Sequence, residues 1–564
     1  MSEKRPDPRR GRPQPRGIPP VVIVSALSGV LVIAAVVLVL NYLRHNTQQI
    51  SPDAQHRFED RRDPPLQGPA PAPSPTPDLT RDVILAGSNT IGGHLAGPLL
   101  SAFAASEGQA GLKTGGWTAP DAWRQATLTR FTDEKLSKCR LNVHANQQLA
   151  VAGSREQLVA MGLGSGCAAP LLDAGLANVG MASRRITDDE RKRYASLGPW
   201  TDEGEANGAP PRREHVIAMD GVVIIANPTV KPPAMTKDEV RRLFQGETSN
   251  WSQVGGPNVP VVLMSRDNVS GTYDTFKDIV LGGKDLKFGA DGAKAFTDTV
   301  DLVNAVQSTK GAIGFVGLEY AAEHPNLVVP VSECRLQYSP VGAGSDWMIK
   351  TEDYPLARRL FLYTPEALRA RSQRALAFVG FVKSPLGQKA VEGAGFVSLE
   401  IVRVTAPSAG ELRRESADLD PIDPVLAQRY RSLTRNAEQL TATIRFGFAE
   451  SDLDARARDD LQRVVDFMRQ PANAGATLVV AGFADRKGSQ DANTRKARER
   501  AQTVAAAFRS AGVARVEAVS FGVEAPVGCN GDADEVGRRK NRRVELWVRR
   551  ADSATTSAAR SSAR

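Results

Sequence analysis

The chain has 564 residues and a formal net charge of +9, and 41% of its residues are hydrophobic. A chain of this length holds three or four domains of roughly 100–200 residues each. The positive charge is concentrated near the two ends, and no block of Lys and Arg is interleaved with aromatic residues. This pattern argues against a nucleic-acid-binding surface.

The N-terminal region has the features of a membrane anchor. Residues 1–20 form a basic tail, and residues 21–43 are an almost unbroken apolar run without a charge. The run is long enough to span a bilayer and longer than the apolar region of a cleaved signal peptide. The basic residues before it predict a cytoplasmic N-terminus, with the rest of the chain outside the cytoplasm. A buried core helix is the alternative, which the isolation of the segment disfavours.

Polar segments separate the predicted domains. Residues 44–80 form a Pro-rich linker, whose composition is typical of an extended, semi-rigid spacer. A second linker is predicted at 406–440, and the last segment, 551–564, lacks apolar residues and is predicted to be disordered.

The middle domain, residues 81–405, repeats one local pattern three times. An apolar strand is followed by a loop of Gly, Ser, Thr or Asn and then by a helix, at 83–105, 159–175 and 259–281. Helix N-termini have unpaired N–H groups and suit anions. One such unit is no more than a capped helix, but three of them, with Arg266 in "SRDNVSGTYDTF", predict that the loops converge on a small anion.

These segments resemble the periplasmic phosphate-binding proteins of ABC importers, the PstS-like family. The resemblance rests on "AGSNTIG", "GSG", "NVGMASRRIT", "DGVVIIANP", "SRDNVSGTYDTF" and "GAIGFVGLEYA". It implies a type 2 periplasmic-binding-protein fold with two α/β lobes, about 80–220 plus 316–405 and 221–315. The oxyanion-binding residues that it implies are Ser88, Asn89, Thr90, Ile91, Ser165, Gly166, Ser183, Arg266, Ser270, Gly271 and Thr272.

The sequence departs from this family at one position. Phosphate-specific members have an aspartate that accepts the proton of hydrogen phosphate and repels sulfate, whereas this chain has Ser183 or Arg184 there. Asp220 either substitutes for that aspartate or is a structural turn residue. We interpret the isolated histidines, His94 and His215, as structural.

The C-terminal domain, residues 441–550, alternates strands and helices. Leu461, Val464, Val465 and Met468 share one helix face, and a second long helix follows the strand that ends at Asp485. Asp485 and Arg500 are predicted to lie at one end of this domain, where they form either a surface salt bridge or a pair suited to a zwitterion.

The segments "AGFADRKGSQDANTRKARERAQTV" and "GRRKNRRVEL" resemble the peptidoglycan-binding C-terminal domain of OmpA. The resemblance implies that Asp485, Asn493 and Arg500 bind the diaminopimelate of the stem peptide. Phe483 and Ala484 stand where that family has His-Thr. Arg542 and Arg543 also match the family pattern and are assigned either to the neighbourhood of the site or to the structure of the domain.

Together these features predict an α/β protein of the inner membrane of a Gram-negative bacterium, with most of the chain in the periplasm. The predicted function is to bind phosphate or a similar oxyanion while attached to peptidoglycan. The alternative is a structural tether between membrane and wall whose cleft is vestigial or binds a partner protein. No metal cluster or nucleophile–base set supports an enzyme, and no cofactor is predicted. The sequence leaves open whether an ABC permease receives the ligand.

The cysteines carry one further expectation. Their spacing shows no paired-cysteine metal pattern, and an oxidising compartment would permit a disulfide. We expect at most one bridge within a domain, with the partners left open among Cys139, Cys167, Cys334 and Cys529.

Overall fold

The computed structural model describes most of the middle and C-terminal domains. The described residues are 78–131, 139, 148–200, 213–232, 234–267, 270–288, 292–333, 346–369, 372–404, 422–446, 453–531 and 535–550. They all belong to the second of two compact units, Pro73–Arg564.

In the described part of the chain, no helix has both the length and the apolar character that crossing a bilayer requires. The predicted span at 21–43, the basic tail 1–20, most of the linker 44–80 and the C-terminal segment 551–564 lie outside the described residues.

The strands of the middle domain account for most of its core. They are β1 (Val83–Gly87), β2 (Lys113–Trp117), β3 (Gln148–Ala152), β4 (Leu158–Gly162), β5 (Val179–Ala182), β6 (Glu214–Ala226), β7 (Met235–Thr236), β8 (Val262–Arg266), β9 (Lys294–Phe296), β10 (Ala312–Gly317), β11 (Val328–Val329), β12 (Val331–Ser332) and β13 (Ala357–Tyr363).

Helices of the same domain connect and cover these strands. They are α1 (Ala96–Ser106), which continues from a π-helical turn at Ile91–Leu95, α2 (Asp121–Arg130), α3 (Ala168–Asp173), α4 (Asp188–Arg193), α5 (Lys237–Phe244), α6 (Gly271–Ile279), α7 (Thr299–Ser308), α8 (Leu318–Glu323), α9 (Asp346–Lys350), α10 (Glu366–Arg369), α11 (Gln373–Lys383) and α12 (Pro385–Gly393).

A mixed, 11-stranded sheet organises the middle domain. Its order is β2-β3-β4-β1-β5-β13-β6-β10-β8-β9, with β11 also paired to β6. Strands β1, β4 and β5 are parallel, and β1 and β5 are buried along their whole length, as continuous apolar strands covered on both faces are. This is the mixed α/β architecture that the sequence predicts.

The long strand β6 joins the two halves of this sheet. Residues 214–221 of β6 pair with β13, and residues 222–226 pair with β10. Asp220 therefore lies within a strand, in register with Arg358 of β13. The interpretation of Asp220 as a turn residue is wrong, because the apolar residues on either side of it continue as a single strand through the junction.

The C-terminal domain is a smaller α/β layer. Its strands β14 (Glu438–Arg445), β15 (Thr477–Gly482), β16 (Val516–Ser520) and β17 (Arg543–Arg549) form a sheet in the order β14-β17-β15-β16. Only the β15–β16 pair is parallel. The helices are α13 (Pro424–Asn436), α14 (Ala455–Arg469), α15 (Gln490–Ser510) and α16 (Glu535–Asn541).

Helix α13 and the first residues of β14 lie within the predicted linker range of 406–440. Helix α13 packs Tyr430 against Phe483, Phe521 and Trp547, and the Tyr430 hydroxyl donates to Glu545 at 2.7 Å. Strand β14 also begins before residue 441. Helix α13 is polar overall and buries only a narrow face.

Buried ion pairs join the middle and C-terminal domains. Glu352 accepts from Arg359 of its own domain and from Arg456 of the C-terminal domain. Arg445 donates to Asp353 at 2.8 Å. Further pairs across the same boundary are Arg359–Asp454, Lys383–Asp459 and Lys540–Glu333. The two domains therefore share an extensive charged interface in addition to the connecting chain.

One disulfide lies in the middle domain. It joins Cys139 to Cys167. The expectation of no more than one bridge within a domain agrees with this pairing, which the sequence had left open. Cys334 lies outside the described residues, and Cys529 belongs to the C-terminal domain.

Candidate functional site

The loops after β1, β4 and β5 meet at one edge of the sheet. The Gly87 carbonyl accepts from the N–H groups of Leu163 and Gly164, at 2.6 and 2.9 Å, and Ser88 N donates to the Met181 carbonyl at 2.9 Å. Parallel strands bring their carboxyl ends to the same edge, which is where ligands bind in open α/β sheets. Two of the three predicted strand–loop–helix units therefore lie side by side.

The hydroxyl groups of these loops are close together. The Ser165 and Ser183 hydroxyls are 3.0 Å apart, and Ser183 N donates to Ser165 Oγ at 3.0 Å. Ile91 N donates to Ser88 Oγ at 3.3 Å, which satisfies part of the first turn of the following helix. Gly166 lies beside the same serines. The residues predicted from these two loops are thus placed near one another.

The third unit approaches from the other half of the sheet. Ser270 is the N-cap residue of α6 but makes no side-chain cap. Thr90 Oγ1 donates to the Gly271 carbonyl at 3.2 Å, and Asn89 Nδ2 donates to Asp274 at 3.0 Å. The first turns of two helices therefore face each other, and Thr272 lies in the first turn of α6.

Gly271 permits this close approach. A Cβ added at Gly271 would lie 2.8 Å from both Cα and Oγ1 of Thr90. Because the first of these is a backbone atom, a larger residue would push the two helix ends apart.

Arg266 is placed differently from the other predicted anion-binding residues. Its Nε donates to the Phe296 carbonyl at 3.2 Å, Nη2 donates to the Thr297 carbonyl at 2.7 Å, and Nη1 donates to the Thr299 hydroxyl. The guanidinium therefore connects the end of β8 to the start of α7 within its own half of the domain.

A different arginine, Arg358, lies between the two helix N-termini. Its Nη2 donates to Thr90 Oγ1 at 2.6 Å and approaches the Gly271 carbonyl at 3.4 Å. Its Nε donates to Asp220 Oδ2 at 3.1 Å. Burial lowers the pKa of Arg358, and the charge of Asp220 opposes that shift.

The sequence analysis did not single out Arg358, although the sequence carries a signal. Two consecutive arginines, Arg358 and Arg359, occur in an otherwise apolar strand, "LARRLFLY". Neighbouring residues of a strand point to opposite faces, so two arginines in a buried strand require polar partners on both sides.

Other charged and polar groups near this edge are paired. Arg184 donates to Glu190 through both terminal nitrogens, at 2.9 and 2.7 Å, and these bonds raise the pKa of Arg184. The His215 ring hydrogen-bonds the Thr364 hydroxyl at 2.9 Å, in keeping with a structural histidine.

In the C-terminal domain, Asp485 pairs with Arg542. Arg542 Nη1 donates to Asp485 Oδ2 at 2.7 Å, and Lys487 N donates to Asp485 Oδ1 at 3.0 Å. Arg542 also donates to Glu535 and to the Phe446 carbonyl. Both members of the pair are buried.

Arg500 lies in the same region but bonds differently. Its Nη1 donates to the Phe483 carbonyl at 3.3 Å, and its guanidinium lies 5.4 Å from the Phe446 ring centroid. Burial and the nearby charge of Arg542 lower the pKa of Arg500, whereas Asp485 opposes that shift. Arg542 therefore belongs to the same group as Asp485 and Arg500, and it is the direct ion-pair partner of Asp485.

Asn493 and Phe483 are two further residues near Asp485 and Arg500. Asn493 is buried in the first turn of α15. Phe483 lies in the aromatic cluster around Tyr430, and the Arg543 guanidinium stacks over its ring at 3.9 Å. The departure from the family's His-Thr therefore enlarges the core.

Two family models match separate regions of the chain. Residues 152–385 match the PBP superfamily domain, and residues 445–542 match the OmpA family. The homologues of these two domains are phosphate-binding proteins and OmpA-like domains, which are non-enzymatic binding proteins, in agreement with the prediction that the chain is not an enzyme.

Individual relatives match one domain each. The phosphate-binding protein PstS of Borreliella burgdorferi is 26% identical over 193 residues, which are 33% of this chain and 66% of that protein. The crystal structure of PstS from Borrelia burgdorferi is 19% identical and covers 56% of this chain and 98% of its own, with a TM-score of 0.37.

The C-terminal domain has a structural relative in the peptidoglycan-associated lipoprotein of Burkholderia pseudomallei. It is 27% identical and covers 19% of this chain and 89% of its own, with a TM-score of 0.18. The chain combines a PBP superfamily domain, similar to PstS, with an OmpA family domain, as its sequence motifs predicted.

Proposed function

We propose that the middle domain binds phosphate or a related tetrahedral oxyanion in a cleft between two lobes of a type 2 periplasmic-binding-protein fold. The observation that carries this proposal is the meeting of two helix N-termini, at Thr90 and Gly271, from the two halves of the sheet. Helix N-termini have unpaired N–H groups and a partial positive charge, which favour anions. The names of the PstS relatives support the same ligand class.

Titration calorimetry of the full-length protein with inorganic phosphate, sulfate and arsenate tests this function. We expect saturable binding of at least one of the three anions with a stoichiometry of one. Binding of none of them would leave the structural tether, whose cleft is vestigial or binds a partner protein, as the better proposal.

A glycine variant links that binding to the observed geometry. Gly271→Ala should weaken anion binding, because the new Cβ would contact Thr90 at 2.8 Å and keep the two helix ends apart. Gly380→Ala is the matched control, since a Cβ added there meets no described atom within 4 Å. Equal affinities in the two variants would contradict a ligand held between Thr90 and Gly271.

The C-terminal domain, on this proposal, attaches the protein to peptidoglycan through a diaminopimelate-containing stem peptide. Asp485 and Arg500 offer opposite charges to a zwitterion, and the OmpA family match supports this ligand class. Sedimentation of the full-length protein with purified peptidoglycan measures the attachment. A protein that stays in the supernatant at every wall concentration would contradict it.

We propose further that residues 21–43 anchor the protein in the inner membrane, with the binding domains in the periplasm. The apolar length of this segment and the basic residues before it support the proposal. Replacing Val32 and Val36 by Arg should release the protein from washed membranes, because each central Arg costs about 2.5–3.5 kcal/mol of insertion free energy. Retention of this variant would contradict the anchor.

A further inference from the structure

Arg358 occupies an unusual position for a buried charge. It lies on β13, between β5 and β6, and its register partner on β6 is Asp220. Its guanidinium lies between the first turns of two helices from opposite halves of the sheet. Only 7% of the residue is exposed.

Its hydrogen bonds leave one nitrogen unused. Nε and Nη2 donate to Asp220, Thr90 and the Gly271 carbonyl. Nη1 is buried and has no hydrogen-bond partner among the described residues. A buried donor on a charged group without a partner is costly unless a ligand or water satisfies it. Arg543 Nη1 is buried without a hydrogen-bond partner among the described residues in the same way, and Arg358 differs from it in lying against both helix N-termini.

The unpartnered nitrogen belongs to the guanidinium that contacts both helix N-termini. Nη1 shares its carbon atom with Nη2, which already contacts Thr90 and Gly271. The planar guanidinium matches the spacing of oxyanion oxygens, and a buried guanidinium is weakly hydrated compared with an ammonium group. This donor therefore lies on a side chain that is next to both helix N-termini.

Arg266 differs from Arg358 in the number of its nitrogens that already have partners. All three of its nitrogens donate to groups at the β9–α7 connection, namely Phe296, Thr297 and Thr299. Arg266 would have to break these bonds to reach an anion, whereas Arg358 Nη1 has no such bond among the described residues to give up.

We propose that Arg358 is a binding residue for the tetrahedral oxyanion and that Asp220 positions its guanidinium. This inference rests on the proposed anion-binding function of the cleft. It assigns the principal cationic contact of the anion to Arg358 on strand β13. Asp220 neutralises the arginine before a ligand enters, so the empty cleft carries no isolated buried charge.

The test is calorimetric titration of the full-length protein with inorganic phosphate, comparing wild type, Arg358→Met and Arg358→Lys. The methionine variant removes the charge-assisted donors, and we expect its affinity to fall by about tenfold or more. The lysine variant keeps the charge but not the fork, and we expect an intermediate loss. Wild-type affinity in a folded Arg358→Met protein would overturn the proposal.

Arg359→Met is the matched control. Arg359 is the next residue of β13, and its partners are Glu352 and Asp454 at the boundary with the C-terminal domain. This variant loses a half-buried, ion-paired arginine of the same strand but no group in the proposed cleft. We expect near-wild-type phosphate affinity from it, and a loss equal to that of Arg358→Met would overturn the proposal as a general effect of the strand.

Two further readouts keep the outcome decisive. If Arg358→Met does not fold, as judged by circular dichroism, Arg358→Lys decides, and unchanged affinity in that variant overturns the proposal. For a purely structural arginine, phosphate would raise the melting temperature of wild type and variant equally. Failure of the wild-type protein to bind any oxyanion is a separate result, which contradicts the proposed function itself.

Discussion

The proposed anion cleft and the proposed wall-binding site each contain a buried arginine paired with an aspartate, but the two pairs are completed differently. Arg358 pairs with Asp220 at 3.1 Å, and Arg542 pairs with Asp485 at 2.7 Å. Arg358 keeps a buried nitrogen without a partner among the described residues, whereas Arg542 donates from all three of its nitrogens.

This difference separates a binding group from a supporting one. A fully bonded guanidinium gains little from a ligand, while an incompletely bonded one gains the hydrogen bonds that folding left unmade. In the wall-binding site, the supporting role falls to Arg542, and Arg500 has donors to offer a ligand carboxylate. In the proposed cleft, Arg358 is the binding group, and Asp220 holds its guanidinium in position.

The two sites also lie on a connected framework. Arg358 faces the cleft, and the adjacent Arg359 bonds to Glu352 and Asp454 at the boundary between the domains. Glu352 in turn accepts from Arg456 of the C-terminal domain. The C-terminal domain is therefore held against the strand that carries Arg358.

The largest effect should come from breaking the fully bonded pair. Asp485→Ala leaves the buried Arg542 with the exposed Glu535 as its carboxylate partner, and removing the buried partner of such a pair costs about 3–5 kcal/mol of unfolding free energy. Urea unfolding of the full-length protein measures the loss, with Asp491→Ala on the exposed face of α15 as the control. A change similar to that of the control would mean that the Asp485–Arg542 pair does not stabilise the domain.

Removing the incompletely bonded arginine of the same site should abolish wall binding without that loss of stability. Arg500→Ala leaves a ligand carboxylate desolvated and unpaired, which costs about 2–5 kcal/mol of binding free energy. Sedimentation with purified peptidoglycan measures it, and Arg495→Ala, an exposed arginine of the same helix, is the control. Undiminished sedimentation of Arg500→Ala would leave a purely structural role for this residue.

The charged interface between the domains should make stability depend on acid. Burial raises the pKa of Glu352, but the adjacent Arg359 and Arg456 outweigh this effect and hold the pKa well below its ordinary value. A carboxylate with a depressed folded pKa stabilises the protein above its unfolded pKa, and this contribution is lost as the pH falls toward the folded value.

Each unit by which the pKa falls on folding contributes about 1.4 kcal/mol of stability above the unfolded pKa. We therefore expect the melting temperature to fall steeply below about pH 4, the unfolded pKa of a glutamate. Glu352→Gln should flatten that fall and lower stability at neutral pH. An acid profile identical to wild type in this variant would exclude Glu352 as the source.

A smaller effect is expected from the arginine that the sequence motif favoured. Arg266→Ala removes bonds within one half of the domain, and we expect a loss of phosphate affinity under about tenfold, or about 1.4 kcal/mol. Titration calorimetry beside Arg358→Met ranks the two residues. The reverse ranking would show that the motif, and not the partner-free nitrogen, identifies the anion contact.

The smallest effect concerns the choice between anions. Asp220 accepts from Gly221 N with one oxygen and from Arg358 with the other, and Ser183 bonds to Ser165. Both Asp220 oxygens therefore already accept hydrogen bonds, and Ser183 has no carboxylate to accept the proton of hydrogen phosphate. We expect phosphate and sulfate affinities within about tenfold of each other in competition titrations. Strict exclusion of sulfate would show that Asp220 reorients and repels it.

Local sequence patterns were sufficient to predict the building units of both domains. The strand–loop–helix units at β1–α1 and β8–α6, and the long helix α15, follow from apolar periodicity, Gly and Ser in the loops, and capping residues. Their order along the chain also carried the resemblance to PstS and OmpA. These features depend on contacts between near neighbours, which a single sequence displays directly.

The charge partners were decided by tertiary structure. Arg358 and Asp220 are 138 residues apart, and Arg542 and Asp485 are 57 apart. Periodicity tells which face of a strand a residue occupies, but it does not tell which distant strand lies opposite. The register of β13 against β6 brings Arg358 to Asp220, and the fold of the C-terminal domain brings Arg542, instead of Arg500, to Asp485. The pairing of Cys139 with Cys167 depends on the fold for the same reason.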